Sequence, residues 1–99
     1  MNIRIDYMFR DESNYKTRSS EVFRNQFDYT EIQISDSTDW TEFNFIYPNE
    51  CGLAELDGSE PDLGDYPLYH EIEEIAETSM PATIDEDIHF FISHFKGYN

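Results

Sequence analysis

The chain has few basic residues to balance its acidic ones: 6 Lys and Arg stand against 22 Asp and Glu in 99 residues, for a formal net charge of −16. A surface of this sign is repelled by DNA, by RNA and by anionic lipid. The sequence also lacks long apolar runs, and a membrane-spanning helix needs about 20 consecutive apolar residues. Direct binding to nucleic acid or to a membrane is therefore not expected.

Cysteine is almost absent as well. Cys51 is the single cysteine, so no intrachain disulfide is possible and a reducing, intracellular setting is expected. Free cysteine is among the most frequently buried residue types, which predicts a buried thiol. The opening stretch, MNIRIDYMFR, carries charges where a signal peptide would need an apolar segment, and this favours the cytoplasm.

The length and composition of the chain are sufficient for one small domain. A chain of 99 residues can bury a single modest core. The hydrophobic fraction is only 38%, but 16% of the residues are aromatic, so we expect a core built mainly on Phe and Tyr. On charge alone the composition approaches the disordered class; the aromatic content and the periodic segments below instead predict a folded domain.

The acidic charge is concentrated in one part of the chain. Residues 1–34 have a net charge of −1, whereas residues 35–99 have a net charge of −15 and contain Lys96 as their single base. Uniform solubilisation would not require this asymmetry. The sequence therefore suggests a scaffold portion and a separate acidic portion.

Alternating apolar residues predict strands in the first half. Ile3, Ile5, Tyr7 and Phe9 form one face of a half-buried strand. A polar loop is predicted over 11–18, and further strands over 20–27, 29–35 and 40–47. The segment 40–47 is also compatible with a short helix, although its aromatic residues favour a strand, which Pro48 would end.

The second half predicts a long loop and two helices. Residues 49–67 contain most of the glycines, which indicates a loop with one possible helical turn around CGLAEL. The helical spacing of Leu68, Ile72, Ile75 and Ala76 predicts an amphipathic helix over 68–78. A last helix is predicted to begin at a capping box formed by Thr83 and Glu86. Its apolar stripe consists of Ile88, Phe91, Ile92 and Phe95. Lys96 lies in the last turn, and Gly97 ends the helix. The predicted class is α+β, an antiparallel sheet of three to four N-terminal strands covered by two C-terminal helices.

The segment IDYMFRDESNYKTRSSEVF resembles the start of a small uncharacterised bacterial family with a Tyr-Arg-Asp-x-x-Asn-Tyr-Lys strand–loop signature. The matching residues are Phe9, where that family has Tyr, and Arg10, Asp11, Asn14, Tyr15 and Lys16. The resemblance covers roughly the first quarter of the chain. It implies a bacterial or phage origin and no particular activity.

Metal binding and catalysis find little support. DGSEPDLGD resembles a calcium loop, but Pro61, Asp62 and Leu68 stand where such a loop needs an oxygen ligand, a glycine and a glutamate. His70 and Glu74 are at i, i+4, which supplies two metal ligands where a site needs more. The chain has no phosphate-binding glycine loop and no nucleophile-elbow pattern. We therefore expect no metal, no cofactor and no enzymatic activity.

The acidic run from Leu56 to Glu77 carries the remaining signal. If residues 68–78 are helical, Glu71, Glu74 and Glu77 succeed one another at i, i+3, i+6. With the acids of the preceding loop they would form an anionic ridge comparable to the phosphate row of DNA, and two tyrosines within it would serve as interface anchors. The predicted partner-binding residues are Asp57, Glu60, Asp62, Asp65, Tyr66, Tyr69, Glu71, Glu73, Glu74 and Glu77.

This pattern predicts a small acidic inhibitor that blocks the basic nucleic-acid-binding channel of a partner protein. In composition and size the chain resembles phage anti-CRISPR proteins, other DNA mimics and the acidic immunity proteins that neutralise nucleases. Two alternatives stay open: an acidic domain that orders on binding calcium or another cation, and a plain protein-interaction domain that uses its aromatic surface.

Overall fold

The computed structural model describes residues 1–10, 15–56 and 69–99. A four-stranded antiparallel sheet in the order β2-β1-β4-β3 is combined with two helices, which confirms the α+β class. The strands are β1 (Asn2–Arg10), β2 (Lys16–Phe23), β3 (Phe45–Ile46) and β4 (His70–Thr78). The helices are α1 (Glu31–Thr38) and α2 (Ile88–His94), and a 3₁₀ turn occupies Pro48–Cys51.

The core lies on one face of the sheet. Ile3, Ile5 and Tyr7 of β1 are fully buried there, as their alternation predicts. The helices complete this core, with Ile34 from α1 and Phe91 from α2. The hydroxyl of Tyr7 donates a 2.7 Å hydrogen bond to the carbonyl of Ala54, which satisfies its polar group inside the core.

The other face of the sheet, here called the open face, carries charge. Arg4 and Asp6 alternate with the core residues of β1, and Arg18 stands opposite Met8 on β2. Directly paired residues of an antiparallel ladder point to the same face. The open face is therefore the place where bases of the N-terminal hairpin meet acids of β4.

The helix predicted over 68–78 is wrong, because this segment is strand β4. Tyr7 pairs with Ile72 and Asp6 pairs with Glu74, so Glu73 is an extra residue without a partner on β1. Such a β-bulge lets two residues three apart face the same side. Ile72 and Ile75 are consequently both buried, and their spacing imitates the periodicity of a helix.

The strand predicted over 29–35 is also wrong, because Glu31–Thr38 form helix α1. Thr30 caps this helix: its hydroxyl accepts the Gln33 N–H, and the Gln33 side chain accepts the Thr30 N–H. This reciprocal capping box satisfies two backbone donors that a helix otherwise leaves free. Ile34 is buried while Ile32 is 73% exposed, so the two isoleucines do not share the face that a strand would give them.

Two further strands differ from their predicted lengths. Within 40–47 the strand is limited to Phe45–Ile46, because Asp39 ends α1 in the left-handed region and its carbonyl accepts the N–H groups of Glu42 and Phe43. The segment before Phe45 is thus a turn. The strand predicted over 20–27 begins earlier, at Lys16, and ends at Phe23.

The last helix is present but starts later than its predicted capping box. Asp87 is the N-cap, since its carboxylate accepts the His89 N–H. Thr83 instead binds the end of β2, where it accepts the Val22 N–H and donates to Glu21. Of the predicted apolar stripe, Ile88 and Phe91 are buried, and Ile92 and Phe95 are half-buried against the core.

The predicted loop over 49–67 is described only as far as Leu56, and residues 57–67 lie outside the described part of the chain. The helical turn expected around CGLAEL is the 3₁₀ turn, which ends at Cys51 instead of beginning there. Cys51 is a buried free thiol, as predicted. Burial raises its pKa to about 12, which leaves the thiol protonated and unreactive near neutral pH.

Candidate binding surface

The structure places half of the predicted site residues. Five of the predicted residues belong to the loop and lie outside the described part of the chain: Asp57, Glu60, Asp62, Asp65 and Tyr66. The other five, Tyr69, Glu71, Glu73, Glu74 and Glu77, lie on β4 or directly before it.

These glutamates do not form the helical ridge, because β4 distributes them over two faces. Glu74 stands opposite Asp6 on the open face, whereas Glu77 stands opposite Ile3, whose side chain belongs to the core face. Glu77 is close to α1 instead, since its N–H donates a 3.0 Å hydrogen bond to the Glu31 carboxylate. A continuous row of carboxylates at i, i+3 and i+6 therefore does not exist on this segment.

Two of the glutamates are paired with arginines of the hairpin. Arg18 Nε lies 3.1 Å from Glu73 Oε1, and an Arg4 terminal nitrogen lies 3.2 Å from Glu74 Oε2. An open groove of about 570 Å³ lies here, lined by Asp6 and Arg18 together with both glutamates. Exposed ion pairs of this kind contribute about 0–1 kcal/mol to stability. Their main effect here is that Glu73 and Glu74 already have cationic neighbours.

The bases of the protein are gathered in one region of the fold. Five of the six lie on β1, on β2 or directly after β2: Arg4, Arg10, Lys16, Arg18 and Arg24. From residue 25 to residue 95 the sequence contains no Lys or Arg. Helix α1, the following turn and β3 all belong to this stretch, so their carboxylates have no basic neighbour along the chain.

The C-terminal end of α1 concentrates this unpaired charge. Asp36 lies in the last turn, Asp39 is the C-cap, and Glu42 follows in the adjoining turn; all three are exposed. A helix C-terminus has a partial negative charge, so acids there are unfavourable and a base would be favourable. The last turn of α1 has no base. We name Asp36, Asp39 and Glu42 the acidic turn.

Three tyrosines and Phe45 form an aromatic cluster around β3. The rings of Tyr47 and Tyr69 are 4.7 Å apart between centroids, and Tyr98 lies 5.5 Å from the first and 5.4 Å from the second. Phe45 contacts Tyr69 edge-on at 6.3 Å. These four residues are called the tyrosine cluster below. A side-chain hydrogen bond with Tyr69 is the main cause that raises the pKa of Tyr47 to about 12.

Strand pairing explains why residues so distant in sequence meet. Phe45 pairs with Glu71 on one side and with Tyr98 on the other, through Phe45 N–H to Tyr98 carbonyl at 3.1 Å and the reverse bond at 2.8 Å. Opposed residues share a face, and so do residues two apart on a strand. Tyr47, Tyr69, Glu71 and Tyr98 thus all lie on the face of Phe45.

The acidic turn leads directly into the strand of the tyrosine cluster. Only two residues separate Glu42 from Phe45, and three steps of chain span at most about 11 Å. Glu71, half-buried, adds a carboxylate next to Phe45. No arginine or lysine pairs with Glu71 among the ion pairs of the described residues. We call this region, which includes Asp36, Asp39, Glu42, Glu71 and the tyrosine cluster, the β3 edge.

Each of the three histidines has a hydrogen-bond partner within the protein. His70 is fully buried, and its Nε2 accepts the N–H of Leu56 at 3.2 Å. His89 contacts the hydroxyl of Tyr29 through Nδ1, and His94 contacts the carbonyl of Phe90. Over residues 1–10, 15–56 and 69–99 there is no group of three or more His, Cys, Asp or Glu arranged to hold a metal ion.

In the part of the chain that the structure describes, no helix has the length and apolar character needed to cross a membrane. Comparison of the chain with protein-family models, with curated proteins and with solved structures found no match.

Sequence reasoning missed most of the β3 edge. It included Tyr69 and Glu71 but not Tyr47, Tyr98, Phe45 or the acidic turn. The signal available was the alternation of Phe43, Phe45 and Tyr47, which places the last two on one face. The pairing with Tyr98 has no local sequence signal, because it joins the C-terminal residues to β3, a strand far away in the sequence.

Proposed function

We propose that the protein is a small acidic inhibitor of the cytoplasm that occupies the basic nucleic-acid-binding surface of a partner protein. The observation that carries the proposal is the separation of charge: five of the six bases lie on or directly after the N-terminal hairpin, while the acidic turn leads into β3, the strand at the opposite edge of the sheet from β2. An uncompensated anionic surface attracts cationic partners over several ångströms and accelerates their capture.

The acidic turn replaces the predicted ridge as the main contact in this proposal. Glu73 and Glu74 would have to leave their arginines before they could bind a partner. Asp36 and Asp39 require no such exchange, and their position against the helix dipole weakens the fold. Acidic residues that lower the stability of the fold and have no basic partner within the protein are best explained by a basic partner outside it.

The experiment is a displacement from DNA-cellulose. Basic proteins of a bacterial lysate are loaded on the resin, and the wild-type protein is added as the eluent. At low salt, the wild type should release at least one basic DNA-binding protein that buffer alone leaves on the resin. The variant Asp36→Asn/Asp39→Asn should require a several-fold higher concentration to release the same protein.

A matched control separates a specific surface from total charge. Glu73→Gln/Glu74→Gln also removes two acids, but from the groove where both are already paired. This control should release the protein nearly as well as the wild type. Equal loss in the two variants would mean that only net charge matters, and no release by the wild type would reject the inhibitor proposal.

A further inference from the structure

We infer that the tyrosine cluster is a binding site for arginine side chains, which it holds between its aromatic rings and the carboxylate of Glu71. This inference rests on the proposed function in one respect, namely which kind of protein presents the arginine. The site itself is defined by four aromatic residues and one carboxylate of the described chain, and it can be tested without that protein.

The first argument is that the cluster already holds a cation. Lys96 Nζ lies over the ring of Tyr98, 5.5 Å from its centroid. Lys96 is exposed and Tyr98 is half-buried, so this contact lies at the surface of the protein. Lys96 is also the only base after Arg24. The single cation of the acidic portion therefore lies on this cluster, where the negative ring face attracts it.

The second argument is the combination of rings with an acid. Glu71 is the direct cross-strand neighbour of Phe45 and lies two residues from Tyr69 on the same face. A guanidinium stacks flat on an aromatic ring and also donates two parallel hydrogen bonds to a carboxylate. Lysine, as a compact and strongly hydrated ammonium, does only part of this. The geometry thus favours arginine over lysine.

The third argument is exposure. Tyr69 keeps 39% of its surface accessible despite three ring neighbours. Its ring is thus supported from within the cluster and open on the outside. Supported tyrosines of this kind supply contact area at low entropic cost, as interface anchors do. The carboxylate of Glu71 on the same face, and that of Glu42 three residues before Phe45, favour a basic occupant over an apolar one.

The test compares two short peptides of equal length, one of arginine only and one of lysine only, by isothermal titration calorimetry. The lysine peptide measures general attraction to the acidic protein, so the ratio of the two affinities isolates the contribution of the cluster. The wild type should prefer arginine by about two- to five-fold, as expected for exposed cation–π contacts. Tyr69→Ala should bring the ratio close to one without weakening the lysine peptide.

Three variants control the result. Tyr69→Phe keeps the ring and should keep the preference. Phe27→Ala removes an exposed aromatic elsewhere on the surface and should also keep it. Lys96→Met removes the resident cation and should raise the ratio, which keeps the inference testable even if Tyr69→Ala fails to fold.

The outcomes separate this inference from the proposed function. A ratio of one in the wild type, or a ratio that no variant changes, overturns the arginine site and leaves the DNA-cellulose result intact. If Tyr69→Ala loses the preference for the arginine peptide and the wild type fails to displace any protein from DNA-cellulose, the arginine site is supported and the inhibitor proposal is rejected. Salt dependence should be strong for the lysine peptide and weaker for the arginine preference.

Discussion

Ile72 and Ile75 both enter the core from β4, although a regular strand would send residues three apart to opposite faces. Ile72 stands opposite Tyr7 and Ile75 stands opposite Ile5, with the unpaired Glu73 between them. The bulge brings Glu73 and Glu74 to the arginines of the hairpin. One extra residue therefore sets both the burial pattern of β4 and the pairing of its acids.

Deletion of Glu73 should leave the fold intact. The shortened strand would read Ile72-Glu74-Ile75, a regular alternation that keeps both isoleucines in the core. The cost is one exposed ion pair with Arg18, about 0–1 kcal/mol. Urea unfolding should therefore show a cooperative transition close to that of the wild type. Because residues 73 and 74 are both glutamate, the same chain results from deleting either.

Deletion of Glu71 is the matched control, since it also removes one glutamate from β4. It would move the fully buried His70 to the open face and break the hydrogen bond from Leu56. A one-residue slip exchanges the two faces of a strand, so this variant should lose its cooperative transition. If both deletions were equally harmful, the segment would behave as a helix and the bulge assignment would fail.

The bulge also shows how far the sequence could predict the fold. β1, the buried Cys51 and the apolar face of α2 followed from alternation, composition and helical spacing. β4 could not be predicted in this way, because the i, i+3 spacing of Ile72 and Ile75 is produced by a β-bulge and not by a helix. α1 was missed although Thr30 and Gln33 form a capping box, because the alternation of Ile32 and Ile34 is also typical of a strand.

Neutralising the acidic turn should stabilise the protein. In Asp36→Asn/Asp39→Asn, two charges that oppose the α1 dipole are removed, each worth about 0.3–1 kcal/mol. Asparagine also tolerates the left-handed backbone of residue 39, where φ is 55°. The free energy of unfolding in urea should rise, while Glu73→Gln/Glu74→Gln should not raise it. A destabilised acidic-turn variant would contradict the unpaired state that we assign to these carboxylates.

Divalent cations should stabilise the protein without distinguishing calcium from magnesium. A net charge of −16 repels itself in the folded state, and any cation screens it. Thermal unfolding at matched millimolar concentrations of CaCl₂ and MgCl₂ should give equal increases in Tm. A markedly larger increase with calcium would support the cation-binding alternative, because a specific ligand of the folded state stabilises it beyond screening.

High pH should destabilise the fold through two buried groups. Burial raises the pKa of Cys51 from 9.0 to about 12 and that of Tyr7 from 10.0 to about 12. The unfolded chain releases these protons first, so stability is intact below pH 9 and falls between about pH 9 and pH 12. Each group contributes a slope of up to about 1.4 kcal/mol per pH unit within its range.

The measurement is urea unfolding at a series of pH values for the wild type and Cys51→Ala. The variant is less stable because it leaves a small cavity, but its stability should fall less steeply above pH 9. The remaining slope should begin near pH 10, where the tyrosines of the unfolded chain titrate. Parallel curves for the two proteins would show that the thiol is not held protonated by the core.

The β3 edge marks the limit of sequence reasoning for the site. Tyr69 and Glu71 were found because they lie within the acidic run, whereas Tyr47 and Tyr98 lie in segments that only tertiary pairing brings together. The pairing of the run's glutamates with Arg4 and Arg18 was equally invisible, since it depends on strand order. Charge density could be read from the sequence, but the neutralised and unneutralised carboxylates could not be told apart.

Gly97→Ala should damage the tyrosine cluster specifically. A Cβ at residue 97 would collide with the backbone oxygen of Phe43 and come within 2.8 Å of the Phe95 ring. The collision should displace Tyr98 from its pairing with Phe45, at a cost of about 1–3 kcal/mol typical of overpacking. Ser93→Ala, an exposed position on α2, is the control and should behave as the wild type. Gly97→Ala should show weaker near-ultraviolet circular dichroism from its tyrosines and a lower preference for the arginine peptide over the lysine peptide. If Gly97→Ala kept both the stability and the arginine preference of the wild type, the C-terminal pairing would not be what assembles the cluster.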